Sequence, residues 1–157
     1  PKAEVLGIGW TSDAYHFTRP NSETVIRSIR GAIDDAGLTP GDIQYVNAHG
    51  TSTPRGDRTE VECLKAVFED RIEQIPISST KSQIGHTLGA AAAIEAALCI
   101  EAMQQQILLP TVNLIPDPAF GEIDFVPNRP RKAGYEFMMN NAFGFGGTNC
   151  CVVFRGV

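Results

Sequence analysis

Three short polar segments combine histidines, a lysine, small hydroxyls, amides and glycines in a way that could do electrostatic or proton-transfer chemistry: Asn47 to Asp57, Ser78 to Gly89 and Asn140 to Asn149. The first contains Asn47-Ala48-His49-Gly50-Thr51-Ser52-Thr53-Pro54, a histidine with small hydroxyls and a glycine in one tight loop. An imidazole in such a loop can donate a hydrogen bond to a developing oxyanion, while the hydroxyls hold the amides of a ligand. A lone loop histidine serves as readily to satisfy nearby carbonyls, so His49 gains meaning only from its company. The second segment, Ser79-Thr80-Lys81-Ser82-Gln83-Ile84-Gly85-His86, sets a lysine and a second histidine just ahead of an apolar helix. Free N–H groups and the positive dipole end of a helix keep an imidazole there neutral and donating. The plainer alternative makes Lys81 a surface cation and His86 a helix cap. If Lys81 is buried it needs a carboxylate, and Glu95, alone among the apolar residues from Ala90 to Ile100, needs a cation, a metal ion or a cluster of donors. The third segment, Asn141 to Asn149, alternates rings and glycines, which suits either a mobile ring-bearing loop or a hairpin turn with core phenylalanines. Neither GxGxxG nor GxxxxGK lies between a strand and a helix, which argues against a nucleotide cradle.

The elements that must position these segments follow from periodicity. Glu4 to Trp10 is a short, apolar, glycine-marked strand. Apolar positions Val25, Ile26, Ile29, Ile33 and Ala36 recur at helical spacing behind the cap residues Asn21 and Ser22, predicting a helix over 22–36 that stops at Gly37. A strand at Ile43 to Ala48 precedes the first polar segment, and Asp57 and Glu60 open the next helix in the manner of a capping box. Ile75 to Ser78 is a buried strand, and Leu88 to about Gln105 is a helix apolar nearly all round. Strands at Ile123 to Val126, Phe137 to Asn141 and Cys150 to Phe154 close the chain. This order predicts one α/β domain over 1–157, a mixed sheet with helices on both faces and later strands antiparallel.

Composition sets bounds. A chain of 157 residues, 43% hydrophobic and 20% charged, can bury one substantial core. The net charge of -5 argues against nucleic acid as a partner, and an acidic protein partner would need a local basic patch. No apolar run of the roughly 18 residues that span a bilayer occurs, nor a basic-then-apolar leader, so a cytoplasmic or organelle-matrix setting is expected, with no membrane. Cys63, Cys99, Cys150 and Cys151 have no CxxC spacing and are expected to be reduced thiols. The chain begins at Pro1 and runs straight into a strand, as a piece of a longer polypeptide would.

Taken in order, HGTSTPRGD at 49–57, TKSQIGHTLGAA at 80–91 and FGFGGTN at 143–149 resemble the three motif loops of the β-ketoacyl synthase family, in its elongating members. GIGWTSDAYHFT at 7–18 and LPTVNLIPDP at 109–118 are similar to the family's opening strand and its extended connector, so the likeness covers nearly the whole chain. The Thr51-Ser52-Thr53 form suggests the dissociated type II or mitochondrial branch rather than a modular polyketide synthase.

The resemblance implies the carboxy-terminal half of a thiolase-like fold, with a mixed five-stranded sheet, helices on both faces and an apolar face that normally meets the amino-terminal half. It implies an acyltransferase of fatty-acid or polyketide synthesis that joins an acyl thioester to malonyl-acyl carrier protein by decarboxylative Claisen condensation. His49 and His86 would hold the malonyl thioester oxygen, Lys81 would be the active-site lysine with Glu60 as its carboxylate partner, and Asp57 would support them. Thr51 and Thr53 would contact the pantetheine arm, and Phe145, beside Phe143, would gate the acyl pocket. No cofactor is implied as required, but Asn47, Glu95 and Asn149 fall where some relatives gather ligands for a structural sodium or potassium ion.

The resemblance implies a nucleophilic cysteine in the preceding half, and none of the four cysteines here sits in a strained turn at a helix start. Implied partners are acyl- and malonyl-loaded carrier protein, the amino-terminal ketosynthase half and, at full length, a second copy in a homodimer. Ala92 stands where the family often has glycine and Ala142 where serine is common, and the lost hydroxyl weakens the cation assignment. The alternatives are a noncatalytic subunit like a chain-length factor, against which both histidines speak, and a module that only binds carrier protein. A thiolase proper would use a second cysteine as its base, and Cys150 and Cys151 follow the wrong motif.

Overall fold

The computed structural model describes residues 1–157. Its principal sheet has the order β1-β7-β6-β2-β3. The strands are β1 (Ala3–Ser12), β2 (Tyr45–Asn47), β3 (Ile77–Ser78), β6 (Phe137–Gly144) and β7 (Thr148–Gly156). β2 runs parallel to both β3 and β6, while β7 is antiparallel to β6 and β1. The sheet is therefore mixed and five-stranded, as expected. β4 (Ile107–Leu108) and β5 (Arg131–Lys132) form a separate antiparallel pair that periodicity did not reveal, two residues being too few to show alternation.

The helices are α1 (Ser22–Asp35), α2 (Pro54–Phe68), α3 (Lys81–Ile84) and α4 (Ala91–Gln104). α1 starts where Asn21 accepts a hydrogen bond from the Glu23 amide at 3.0 Å. Its stripe of Val25, Ile29, Ala32 and Ile33 joins Val61, Leu64 and Val67 of α2 and Ile77, Met139 and Val153 of the sheet in the larger core. α1 lies unusually close to β1: a Cβ on Gly9 would sit 1.8 Å from the Ser28 carbonyl oxygen. On the opposite face Cys99 and Met103 of α4 pack with Tyr45, Met138 and Phe154. Helices thus cover both faces.

Two expectations need correction. The helix expected from Leu88 begins as a 3-10 turn, Leu88–Ala90, and is preceded by the single turn α3, which ends at Gly85 in the left-handed region. Ile123 to Val126 is not a strand. Pro127 follows it, Val126 has φ 46°, and its carbonyls make only scattered bonds, Asp124 accepting from the Ile77 amide at 2.8 Å and Val126 from the Thr111 amide at 3.0 Å.

α4 is apolar all round, but only one side of it is covered. Ala91, Glu95, Cys99, Ala102 and Met103 are buried, while Ile94 and Leu98 are exposed. Ile8 and Trp10 of β1, which alternate with the α1-facing Gly7 and Gly9, point to the same side of the sheet as α4 and are also exposed.

Candidate active site

Because β2, β3 and β6 are parallel, their carboxy-terminal ends share one edge of the sheet. The His49 loop leaves β2, the Lys81 segment leaves β3, and the Phe143 to Asn149 turn joins β6 to β7. The three polar segments meet there for that topological reason. Gly50, with φ +35°, lets the first two touch: the Ser79 hydroxyl donates to its carbonyl at 2.8 Å, and a Cβ on Gly50 would lie 2.6 Å from the Ser79 Cβ.

The rings of His49 and His86 stand 5.8 Å apart, centroid to centroid, edge to face. Nδ1 of His49 accepts from the Phe143 amide at 3.2 Å, and Nδ1 of His86 accepts from the Leu88 amide at 3.2 Å. An imidazole that accepts at Nδ1 is neutral and carries its proton on Nε2, so each ring offers one N–H donor. Burial, helped by the Lys81 ammonium and by His86, pushes the His49 pKa from 6.5 down to about 3. Both imidazoles wall a cavity of ≈ 520 Å³, together with Thr51, Thr53, Phe143 and Phe145. His86 makes the bond expected of a cap and still has its donor free.

The Thr51 and Thr53 hydroxyls lie 3.1 Å from one another on that wall. The ring of Phe143 packs 5.3 Å from His49, and the exposed ring of Phe145 stacks on Phe17 at 5.1 Å. Asp57, in the first turn of α2, turns its half-buried carboxyl toward the amides of residues 51–53, and burial raises its pKa.

Lys81 is buried, but its partner differs from the expected one. Its Nζ lies 2.6 Å from Glu95 Oε1, so the carboxylate stranded in the apolar helix is the one that meets the lysine. Glu60 lies under the His49 loop instead, accepting from the amides of His49 at 2.8 Å and Gly50 at 2.9 Å and from the Asn141 side chain at 3.2 Å. Since α2 starts directly after that loop, Glu60 reaches back to it and its oxygens are spent on those donors. Burial nevertheless raises its pKa.

The same pairing gives Glu95 the cation that its burial demands. Glu95 is neutralised by Lys81; Asn47 donates to Asn140 at 2.7 Å and accepts from the Thr80 amide; Asn149 donates to Asp13 at 2.6 Å. Asn149 Oδ1 and Glu95 Oε2 are buried without a hydrogen-bond partner and are left as candidate oxygen ligands.

Three residues at this edge escaped the sequence reading. Asp13 accepts from Asn149, from the Thr24 hydroxyl and from the Asn21 amide, tying the loop after β1 to the glycine turn. Phe17 carries the Phe145 ring, and Asn141 supports Glu60. Only Asn141 gave a signal, standing at the head of the third polar segment.

The four cysteines are unpaired, and burial raises every thiol, Cys63 to about 11, which is opposite to what a nucleophile needs. What the edge offers is a pair of neutral N–H donors aimed at one cavity, an arrangement for holding negative charge on oxygen.

Comparison with known proteins agrees with this geometry. Residues 2–115 match the family described as beta-ketoacyl synthase, C-terminal domain. The chain belongs to the β-ketoacyl synthase family. It is 43% identical over 156 residues to 3-oxoacyl-[acyl-carrier-protein] synthase 2 of Staphylococcus aureus, covering 98% of this chain and 38% of that protein. A beta-ketoacyl synthase from Burkholderia phymatum STM815 superposes with a TM-score of 0.92 at 44% identity, over 99% of this chain and 38% of the other. A type II polyketide ketosynthase, AntDE, solved with its acyl-carrier protein AntF and bound to the hexaketide, gives 0.93 at 34% identity, again over 99% and 38%. The chain therefore spans about 38% of the length of the synthases it resembles, and its fold is that of the carboxy-terminal part of their thiolase-like architecture.

Proposed function

We propose that this chain is the carboxy-terminal part of a 3-oxoacyl-acyl carrier protein synthase and supplies the malonyl-activating side of its active site. The observation that carries the reading is the pair of imidazoles 5.8 Å apart, each with Nδ1 occupied by a backbone amide and Nε2–H free. The malonyl thioester carbonyl oxygen accepts from both Nε2–H groups. When the bond from C2 to the carboxylate breaks, its electron pair moves to C2 and carbon dioxide leaves, and the negative charge that delocalises onto the thioester oxygen is held by the two donors. C2 then attacks an acyl thioester on a cysteine of the amino-terminal half, the acyl carbon–sulfur bond breaks, and the thiolate is released. Neither histidine changes protonation state, which suits an imidazole as reluctant to ionise as His49.

Lys81, joined to Glu95, holds positive charge beside the His49 ring and helps keep it neutral. Glu60 fixes the His49 loop, with Asp57 bracing residues 51–53. Thr51 and Thr53 bind the amides of the pantetheine arm, and Phe145, with Phe143 beside it, gates the site. The partners are acyl- and malonyl-loaded carrier protein, the amino-terminal half and, at full length, a second subunit; the pathway is fatty-acid synthesis in a cytoplasmic setting. No cofactor enters any of these steps. No helix is long and apolar enough to cross a membrane.

Coexpression with an amino-terminal ketosynthase half tests the proposal. Condensation of acyl and malonyl carrier proteins by the joined protein is expected. A well-folded complex without that activity would return the chain to a noncatalytic, chain-length-factor role.

A further inference from the structure

The extended connector at 109–118 supplies nothing to the site as described, yet three consecutive residues of it grip the stretch that carries Lys81. Thr111 Oγ1 accepts from the Ser79 amide at 3.0 Å, the Val112 amide donates to the Ser82 hydroxyl oxygen at 2.9 Å, and the Pro110 carbonyl accepts from the Gln83 side chain at 3.0 Å. Ser79 is the pivot. Its hydroxyl donates to the Gly50 carbonyl in the His49 loop at 2.8 Å, and its own carbonyl accepts from the Ser82 hydroxyl at 2.8 Å, inside the turn that leads to His86. The loops that bear the two imidazoles therefore meet at Ser79, and Thr111 holds its amide.

Thr111 is itself fixed from behind. Its amide donates to the Val126 carbonyl at 3.0 Å and its carbonyl accepts from the Asn128 amide at 2.9 Å. Val126 is buried and β-branched and stands at φ 46°, a region that such side chains resist. Backbone of that kind persists only where the surrounding structure over-determines it, so Thr111 rests on a rigid support. Thr111 does not wall the imidazole cavity of ≈ 520 Å³; it lines a second one, of ≈ 680 Å³, between α2 and the connector. Its influence on a substrate held by both rings passes through Ser79.

We propose that Thr111 is a positioning residue for the imidazole pair: by accepting from the Ser79 amide it sets the spacing of the His49 and His86 loops. The inference rests on the malonyl-activating reading above. Two fixed N–H donors stabilise an oxyanion most when both aim at the same oxygen, so a shift of about 1 Å in one loop costs rate while every group that touches substrate is still present. Thr111→Val keeps the shape of the side chain but removes the acceptor and leaves the Ser79 amide unpaired, whereas Thr111→Ser keeps the acceptor.

The test uses the protein joined to its amino-terminal half and follows release of labelled carbon dioxide from malonyl-carrier protein. Thr111→Val should lower kcat about tenfold or more with KM within about twofold of the parent, and Thr111→Ser should keep at least about half of the parent kcat. In a His86→Ala background the same Thr111→Val change should cost less than about twofold, because a single donor has no spacing to lose. A Thr111→Val protein with the parent's kcat would overturn the proposal. So would a loss equally large with and without His86, which would make Thr111 a structural support only, or a Thr111→Ser protein as slow as Thr111→Val. Should the valine variant not fold, Thr111→Ala carries the same comparison. A parent that releases no carbon dioxide from malonyl-carrier protein would instead refute the functional reading, and this inference with it.

Discussion

At the scale of single residues, the account depends on His49 being neutral. The unfolded imidazole takes a proton near its ordinary value of 6.5 and the folded one only near about 3. The depressed folded value means that this group's contribution to stability is present above pH 6.5 and is lost as pH falls from there toward about 3. Imidazole nitrogen shifts followed by NMR should therefore show no His49 titration between about pH 5 and 8, and a midpoint above about 6 would contradict the assigned environment. His49, Lys81 and His86 were legible in the sequence because their types and order carry the chemistry themselves. The carboxylate partner of Lys81 was not. Glu60 and Glu95 are both carboxylates that burial forces to find donors, and only the tertiary path of α4 shows that Glu95 meets the lysine while Glu60 turns to amides.

At the scale of elements, the Lys81–Glu95 pair is the bolt between α3 and α4, with side chains only 5% and 1% exposed. Replacing Lys81 alone with Met leaves a bare buried carboxylate and should cost about 3–5 kcal/mol in urea unfolding of the joined protein. Lys81→Met with Glu95→Leu should recover stability to within about 1 kcal/mol of the parent while condensation stays impaired. A double variant as unstable as the single one would show that the bolt is not the main cost. Helical spacing located α1 and α2, all-round apolarity marked α4, and short apolar runs marked the three long strands. These signals missed the β4–β5 pair and mistook residues 123–126 for a strand, since apolar content in a short run says nothing about which neighbour completes the ladder.

At the scale of the whole molecule, the chain presents an apolar face of Ile8, Trp10, Ile94 and Leu98, and it spans about 38% of its relatives' length. An all-round apolar helix by itself implies burial, and the expectation of such a face comes from the family resemblance. Its extent became visible only once one side of α4 was seen to be covered and the other bare. Trp10, the one tryptophan of the chain and 73% exposed, reports on its burial. Docking of a tryptophan-free variant of the amino-terminal half should shift its emission to the blue and quench its access to iodide. Emission unchanged in a formed complex would place the interface elsewhere.

The most direct measurement of the central claim is release of labelled carbon dioxide from malonyl-carrier protein by the joined protein. His49→Ala and His86→Ala should each lower the rate by about 10²–10³, as loss of one oxyanion donor does elsewhere. The account predicts that the double variant retains little of the parent rate, whereas decarboxylation at the parent rate without both rings would contradict it.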